Sequence, residues 1–233
     1  TDNSYNVVDA SDTNSSTLID GFIITSGNAN SAANDADRRG GGIYGEDCDA
    51  EFRNCTIRFN DAELDGGAVY LTGDSDADFV NCTFYSNETG VHGGAISING
   101  DTSLIDVVNC IFTSNSADQR GGAIYHAGQN LRVVNSLFNT NSAGDFGGAI
   151  YAFGLSAPAE YEVTNSTFYN NESGDLTGGL RAFSAEGFVR NSIFHLNTDA
   201  NPASSLELSN IETTSAGTLD ISYSWVTGLS TYA

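Results

Sequence analysis

The sequence predicts an all-β chain wound as a parallel β-helix of about eight coils, each of roughly 27 residues. Three observations carry that prediction. Two short cassettes recur in step, equivalent places share their side-chain character, and no stretch shows the apolar period of an amphipathic helix. The first cassette reads Gly40-Gly41-Gly42-Ile43-Tyr44, Gly66-Gly67-Ala68-Val69-Tyr70, Gly93-Gly94-Ala95-Ile96-Ser97, Gly121-Gly122-Ala123-Ile124-Tyr125 and Gly147-Gly148-Ala149-Ile150-Tyr151, then decays to Gly178-Gly179-Leu180-Arg181-Ala182. The second is Asn-Cys/Ser-x-Phe-x-x-Asn, running Asn54 to Asn60, Asn81 to Asn87, Asn109 to Asn115, Asn135 to Asn141, Asn165 to Asn171 and Asn191 to Asn197.

Taken along the chain, each coil explains its own residues. Leu18-Ile19-Asp20-Gly21-Phe22-Ile23-Ile24 reads as the strand pair of a degenerate first coil, followed by a polar insertion through Arg38. The Gly-Gly steps permit a sharp corner or a positive φ, and the Ile/Val that follows fills one wall. Two places before each first Asn stands an apolar column: Phe52, Phe79, Val107, Val133, Val163 and Val189. The next place holds Arg53 and Arg190 among others, so it faces out. After the Asn come a small column (Cys55, Cys82, Cys110, Ser136, Ser166, Ser192) and then Ile57, Phe84, Phe112, Phe138, Phe168 and Phe194. Both are expected to point inward, with the Asn marking a turn where the alternation changes phase. Leu219 to Val226 reads as the closing coil, which makes residues 1–233 a single β-helix domain. Both Asn columns are expected to stack as buried ladders, each amide donating to the next. On that reading the Asn-x-Ser/Thr triplets at Asn54, Asn81, Asn87, Asn165 and Asn171 are buried and unmodified.

Thirty acidic residues oppose eight basic ones, all of them Arg, for a formal charge of −22. A surface of that sign does not neutralise phosphates, which excludes nucleic acid as a partner, and it is equally unsuited to an anionic membrane. No apolar run is long enough to span a bilayer, and the N-terminus has no charged-then-apolar leader, so the chain reads as a mature chain or a fragment of a longer secreted protein.

The paired cassettes Gly-Gly-Ala-Ile-Tyr and Asn-Cys-Thr-Phe-x-x-Asn resemble the right-handed β-helix repeats of bacterial surface proteins, among them the polymorphic outer membrane proteins. The opening Asp20-Gly21-Phe22-Ile23-Ile24-Thr25 and closing Ile221 to Gly228 resemble the choice-of-anchor Q type. The resemblance implies a pectin-lyase-like solenoid located outside the cell or on its surface, and implies little about activity. Of the polygalacturonase pattern only Asn197-Thr198-Asp199 is present, at a ladder position.

Candidate sites are few. If the column Tyr44, Tyr70, Tyr125 and Tyr151 faces out, it is an aromatic stripe able to stack on sugars or another protein; if it faces in, it is corner packing. Asp74, Asp76 and Asp78 alternate like the start of a calcium loop but lack its sixth-place Gly, so calcium is the one cation they suggest and no cofactor is required. His92, His126 and His195 fall in different columns and are expected at the surface; the column cysteines are expected to be buried free thiols. The leading expectation is a non-catalytic extracellular adhesion module that binds a glycan or protein on a surface. Its rivals are a subunit that self-associates head to tail into filaments, through strand edges exposed at its ends, and a polysaccharide lyase or hydrolase. A deep groove flanked by carboxylates and an Arg would favour the enzyme; a flat, evenly decorated wall would count against it.

Overall fold

The computed structural model describes residues 5–31, 34–100, 102–154, 159–201, 210–214 and 218–227. The chain is a parallel β-solenoid in which every strand pairs with its equivalent one coil away. Among the described residues three eight-stranded sheets and one of seven short strands form its walls. The first runs from Val8–Asp9 through Ile43–Glu46 to Ile211–Thr214, and the second from Leu18–Asp20 through Glu51–Arg53 to Leu219–Ser222. The third runs from Ile23–Thr25 through Thr56–Arg58 to Trp225–Val226, and the fourth, two residues wide, from Asn28–Ala29 to Thr198–Asp199. The polar insertion after the first coil contains a short 3-10 turn, Ala36–Arg38.

The expected columns are the core. Phe84, Phe112, Phe138, Phe168 and Phe194 stack face to face, with ring centroids 4.3–4.7 Å apart along the third sheet. Phe52 and Phe79 repeat the arrangement on the second sheet at 5.1 Å. These distances match the rung spacing of about 4.8 Å, so each ring rests on its neighbour without a gap. The small column is buried as expected and forms a ladder of its own. The Cys110, Ser136, Ser166 and Ser192 N–H groups each donate to the hydroxyl of the next coil, Ser136, Ser166, Ser192 and Ser224, all at 3.1 Å. Cys48, Cys55, Cys82 and Cys110 are buried free thiols. Burial pushes the Cys55 thiol up, and the contact with Cys110 followed by burial does the same to Cys82. Because all four are buried out of reach of solvent, none is expected to react with a thiol reagent such as DTNB in the native protein, and all four should react on unfolding. Stoichiometric labelling without denaturant would show that the column is open.

The Gly-Gly corners close as their composition requires. Gly66 has φ +68°, and a Cβ there would lie 2.2 Å from the Val69 carbonyl oxygen. The decayed sixth copy is shifted by one residue from its apparent alignment. Leu180 pairs with Ile150, which places Thr177 rather than Gly178 at the positive-φ corner, at +61°.

The two Asn columns do different work, and the expectation of two buried ladders is corrected for one of them. Asn60, Asn87, Asn115, Asn141, Asn171 and Asn197 are buried, and each of the first five donates its Nδ2 to the Oδ1 of the next at 2.8–3.0 Å. Asn197 continues the chain to Asn210 at 2.8 Å. Asn54, Asn81, Asn109, Asn135, Asn165 and Asn191 are exposed, each with φ between +49° and +55°. They turn the chain from the second sheet to the third, and an Asn is chosen because it tolerates the left-handed backbone. Among the described residues, amide bonding along this outer column links only Asn81 to Asn54 at 3.3 Å, with Asn54 bonded in turn to Asp20. The triplets at Asn54, Asn81 and Asn165 are accordingly exposed, while those at Asn87 and Asn171 are buried.

Candidate functional site

The second sheet has the longest strands, reaching six residues in Ala159–Thr164 and Ala185–Arg190, and its outer face carries an open groove of about 530 Å³. Alternation sends Asp106, Arg132 and Glu162 outward on successive rungs in one register column, followed by Phe188 and Asp220. A parallel column places Glu160 opposite Glu186. Five carboxylates thus face one guanidinium among the groove's lining residues. Arg132 is committed to two of them: Nη1 donates to Asp106 Oδ2 at 2.9 Å, and Nε lies 3.6 Å from Glu162 Oε2. Glu162 also accepts from the Thr164 hydroxyl at 2.9 Å. Phe188 supplies an apolar surface, with the Arg190 guanidinium 4.1 Å from its ring centroid. Glu160 and Glu186 are exposed and project from adjacent rungs, leaving acceptor oxygens for a ligand. The groove can accept hydrogen bonds from hydroxyl or ammonium groups and stack one apolar ring face; an anionic ligand would meet net repulsion.

Neither motif selected from the sequence forms a site. Tyr44, Tyr70, Tyr125 and Tyr151 do face outward from the first sheet, but Tyr70 and Tyr151 are only 4% and 5% exposed. The residues just ahead of the Gly-Gly steps cover them. Arg39 lies 5.2 Å from the Tyr70 centroid, His92 stacks on Tyr125 at 4.4 Å, and Arg120 lies 5.4 Å from Tyr151. Burial raises the Tyr125 hydroxyl to about 12. Beneath this cover Asp65 bonds both His92 Nδ1 at 3.0 Å and Arg39 Nε at 3.1 Å. Burial favours the protonated Asp65, yet the bonds from His92 and then Arg39 prevail and hold it below the usual carboxylate range. The column is outer packing with an ion-paired cap, not a free aromatic stripe.

Asp74, Asp76 and Asp78 do not converge, and among the described residues no group of three or more His, Cys, Asp or Glu is placed to hold a metal ion. Asp74 accepts from the Thr102 hydroxyl. The Asp74 and Asp76 N–H groups donate to Asp47 and Asp49, and Asp76 accepts from the Leu104 N–H at 3.1 Å. These aspartates stitch neighbouring coils at a corner, which explains their alternation without calcium. Asp78 instead joins Glu51 and Asp106 on the second sheet; burial, then Asp106, then Glu51 raise its carboxyl above the ordinary value. The three histidines remain apart as expected, but His126 is not at the surface. It is fully buried, pointing inward in register with Ile98 and Ala152.

The fold is a parallel β-solenoid whose second sheet carries an open groove on its outer face. Residues 2–168 match the family described as the right handed beta helix region, and the protein belongs to that family. No curated protein and no solved structure gives a significant match.

Proposed function

We propose that this protein is a non-catalytic binding module displayed outside the bacterial cell or on its surface, and that the groove over its second sheet takes an uncharged or amino-bearing glycan. The observation that carries this reading is the pairing of Glu160 and Glu186 with Phe188 and the neutralised Arg132 in one open groove. Carboxylates that accept sugar hydroxyls beside an aromatic face are suited to carbohydrate, and the charge of −22 disfavours uronic-acid polymers. Thermal-shift and calorimetric titration with neutral, amino-sugar and uronate oligosaccharides would test it. Binding is expected for one of the first two classes, with affinity falling roughly ten- to a hundredfold in Glu160→Gln/Glu186→Gln, the range of one or two charged hydrogen bonds. Uronate-selective binding, or binding unaffected by the double substitution, would refute the assignment.

The register pair Glu160 and Glu186 also supports a second reading. Glu160 and Glu186 project from adjacent rungs whose backbones stand about 4.8 Å apart, a spacing that allows their carboxyl groups to approach the roughly 5 Å of a retaining glycosidase pair. New reducing ends released from a panel of neutral polysaccharides, and lost in Glu186→Gln, would decide for the enzyme.

A further inference from the structure

The outer face of the third sheet differs from the rest of the surface in charge. Among the described residues its eight strands carry no acidic side chain and a single Arg, Arg58, which lies 5.6 Å from the Phe59 ring centroid, although the flanking second and fourth sheets carry rows of carboxylates, Asp106 and Glu162 on one side and Glu88 and Glu172 on the other. Large apolar side chains are concentrated there instead. Ile23 is 61% exposed, and Ile111, Ile193 and Trp225 lie between 41% and 45%. Two aromatic clusters stand on this face. Phe59 and Tyr85 meet edge to face at 5.2 Å; Tyr169, His195 and Trp225 follow one another at 6.0 and 4.8 Å. Between and around them stand hydroxyls and amides, Thr83 and Thr113 half-buried and Thr140 exposed, bordered by the outer Asn column.

From this we infer that the third sheet's outer face is a docking surface for an uncharged, hydroxyl-rich polysaccharide lying along the rod, a site separate from the groove and not dependent on it. Three features select this partner. The strip is free of carboxylates and edged by them, so an anionic polymer is repelled at both borders and an uncharged one is not. Two aromatic clusters flank the rungs of Thr113 and Asn139, which supply hydroxyl and amide groups, together the chemistry that stacks on sugar rings and bonds their hydroxyls. The backbone also repeats at about 4.8 Å over eight strands, so successive rungs offer evenly spaced contacts to a repeating polymer. A second copy of the chain is a poorer fit. Eight rungs with strands of three residues or fewer give roughly 330 Å² per copy, so a dimer would bury only some 700 Å², below the range of stable interfaces and much of it hydroxyl and amide.

The test uses the whole chain and insoluble, uncharged polysaccharides, namely microcrystalline cellulose, chitin and mannan. At least one is expected to deplete the protein from solution, with binding retained in high salt. Tyr85→Ala/Tyr169→Ala/Trp225→Ala should weaken binding at least tenfold, and Thr113→Asp, one carboxylate placed mid-face with circular dichroism unchanged, should do the same. Glu160→Gln/Glu186→Gln should leave this binding intact, which separates it from the groove. Failure of all three solids to deplete the protein would overturn the inference. So would retention of binding in both face variants, or a sedimentation-velocity dimer that Thr113→Asp dissociates.

Discussion

Asn115→Ala is expected to destabilise the protein by about 4 kcal/mol or more, a loss to be read as a fall in the urea midpoint and melting temperature. Asn115 sits in the middle of the inner ladder and is fully buried. Its Oδ1 accepts from both the N–H and the Nδ2 of Asn87, at 3.1 and 2.9 Å. Its Nδ2 donates to the Phe84 carbonyl at 3.1 Å and to Asn141 Oδ1 at 2.9 Å. Alanine strands polar groups of two neighbouring coils in a dry interior, and each stranded group costs on the order of 1–3 kcal/mol. Asn109→Ala provides the contrast. Asn109 is exposed at φ +55° and donates its own N–H to Val134, a bond that alanine keeps. Its loss should be about 1 kcal/mol, the left-handed backbone penalty alone. Equal losses at the two sites would show that the columns do not divide the work as described.

The second large effect is expected from pH. His126 is fully buried, and among the described residues its ring nitrogens find no hydrogen-bond partner of acceptable geometry. Burial lowers its pKa from 6.5 to about 4, with the Asn130 backbone opposing the shift. Between those values the unfolded chain binds a proton that the folded one excludes. Stability is therefore full above the unfolded pKa and declines as pH falls through the window, by roughly 3 kcal/mol in all. His126→Leu removes that slope and leaves an apolar side chain in register with Ile98 and Ala152. Denaturation curves of both proteins from pH 7 to pH 4 should therefore diverge in favour of the variant. Parallel curves would mean that the imidazole finds a proton acceptor or water on acidification.

Much of the fold was legible because a solenoid writes its contacts as columns. Phe84 and Phe112 lie one repeat apart in the sequence and stack in space, so their common character announces the stacking. The Asn columns were harder, since a left-handed turn and a buried amide ladder select the same residue. The distinguishing sign is Gly21, which holds the outer-column place in the first coil at φ +78°; a glycine can replace a turn residue but cannot replace a ladder amide. His126 was misplaced because its parity follows from inward-facing Ile124, two residues earlier, and not from the scatter of the three histidines. The tyrosines face outward, but their cover comes from Arg39, His92 and Arg120, which belong to a different column. The groove carries no local motif at all. Asp106, Arg132 and Glu162 are separated by whole coils and become neighbours only when the register is drawn.

The inner ladder also governs how this molecule could change over generations. Every copy keeps the same interval between its two asparagines, while successive ladder partners from Asn60 to Asn197 lie 26, 27, 28 or 30 residues apart. Length variation is thus confined to the stretch running from one ladder amide, past the glycine corner, to the next outer turn. Insertions accepted there can reshape the rims of the second sheet, whereas a single inserted residue between the paired asparagines would displace an amide and interrupt the ladder. Whole-coil duplication conserves both intervals, which makes the coil the natural unit of gain and loss in this lineage.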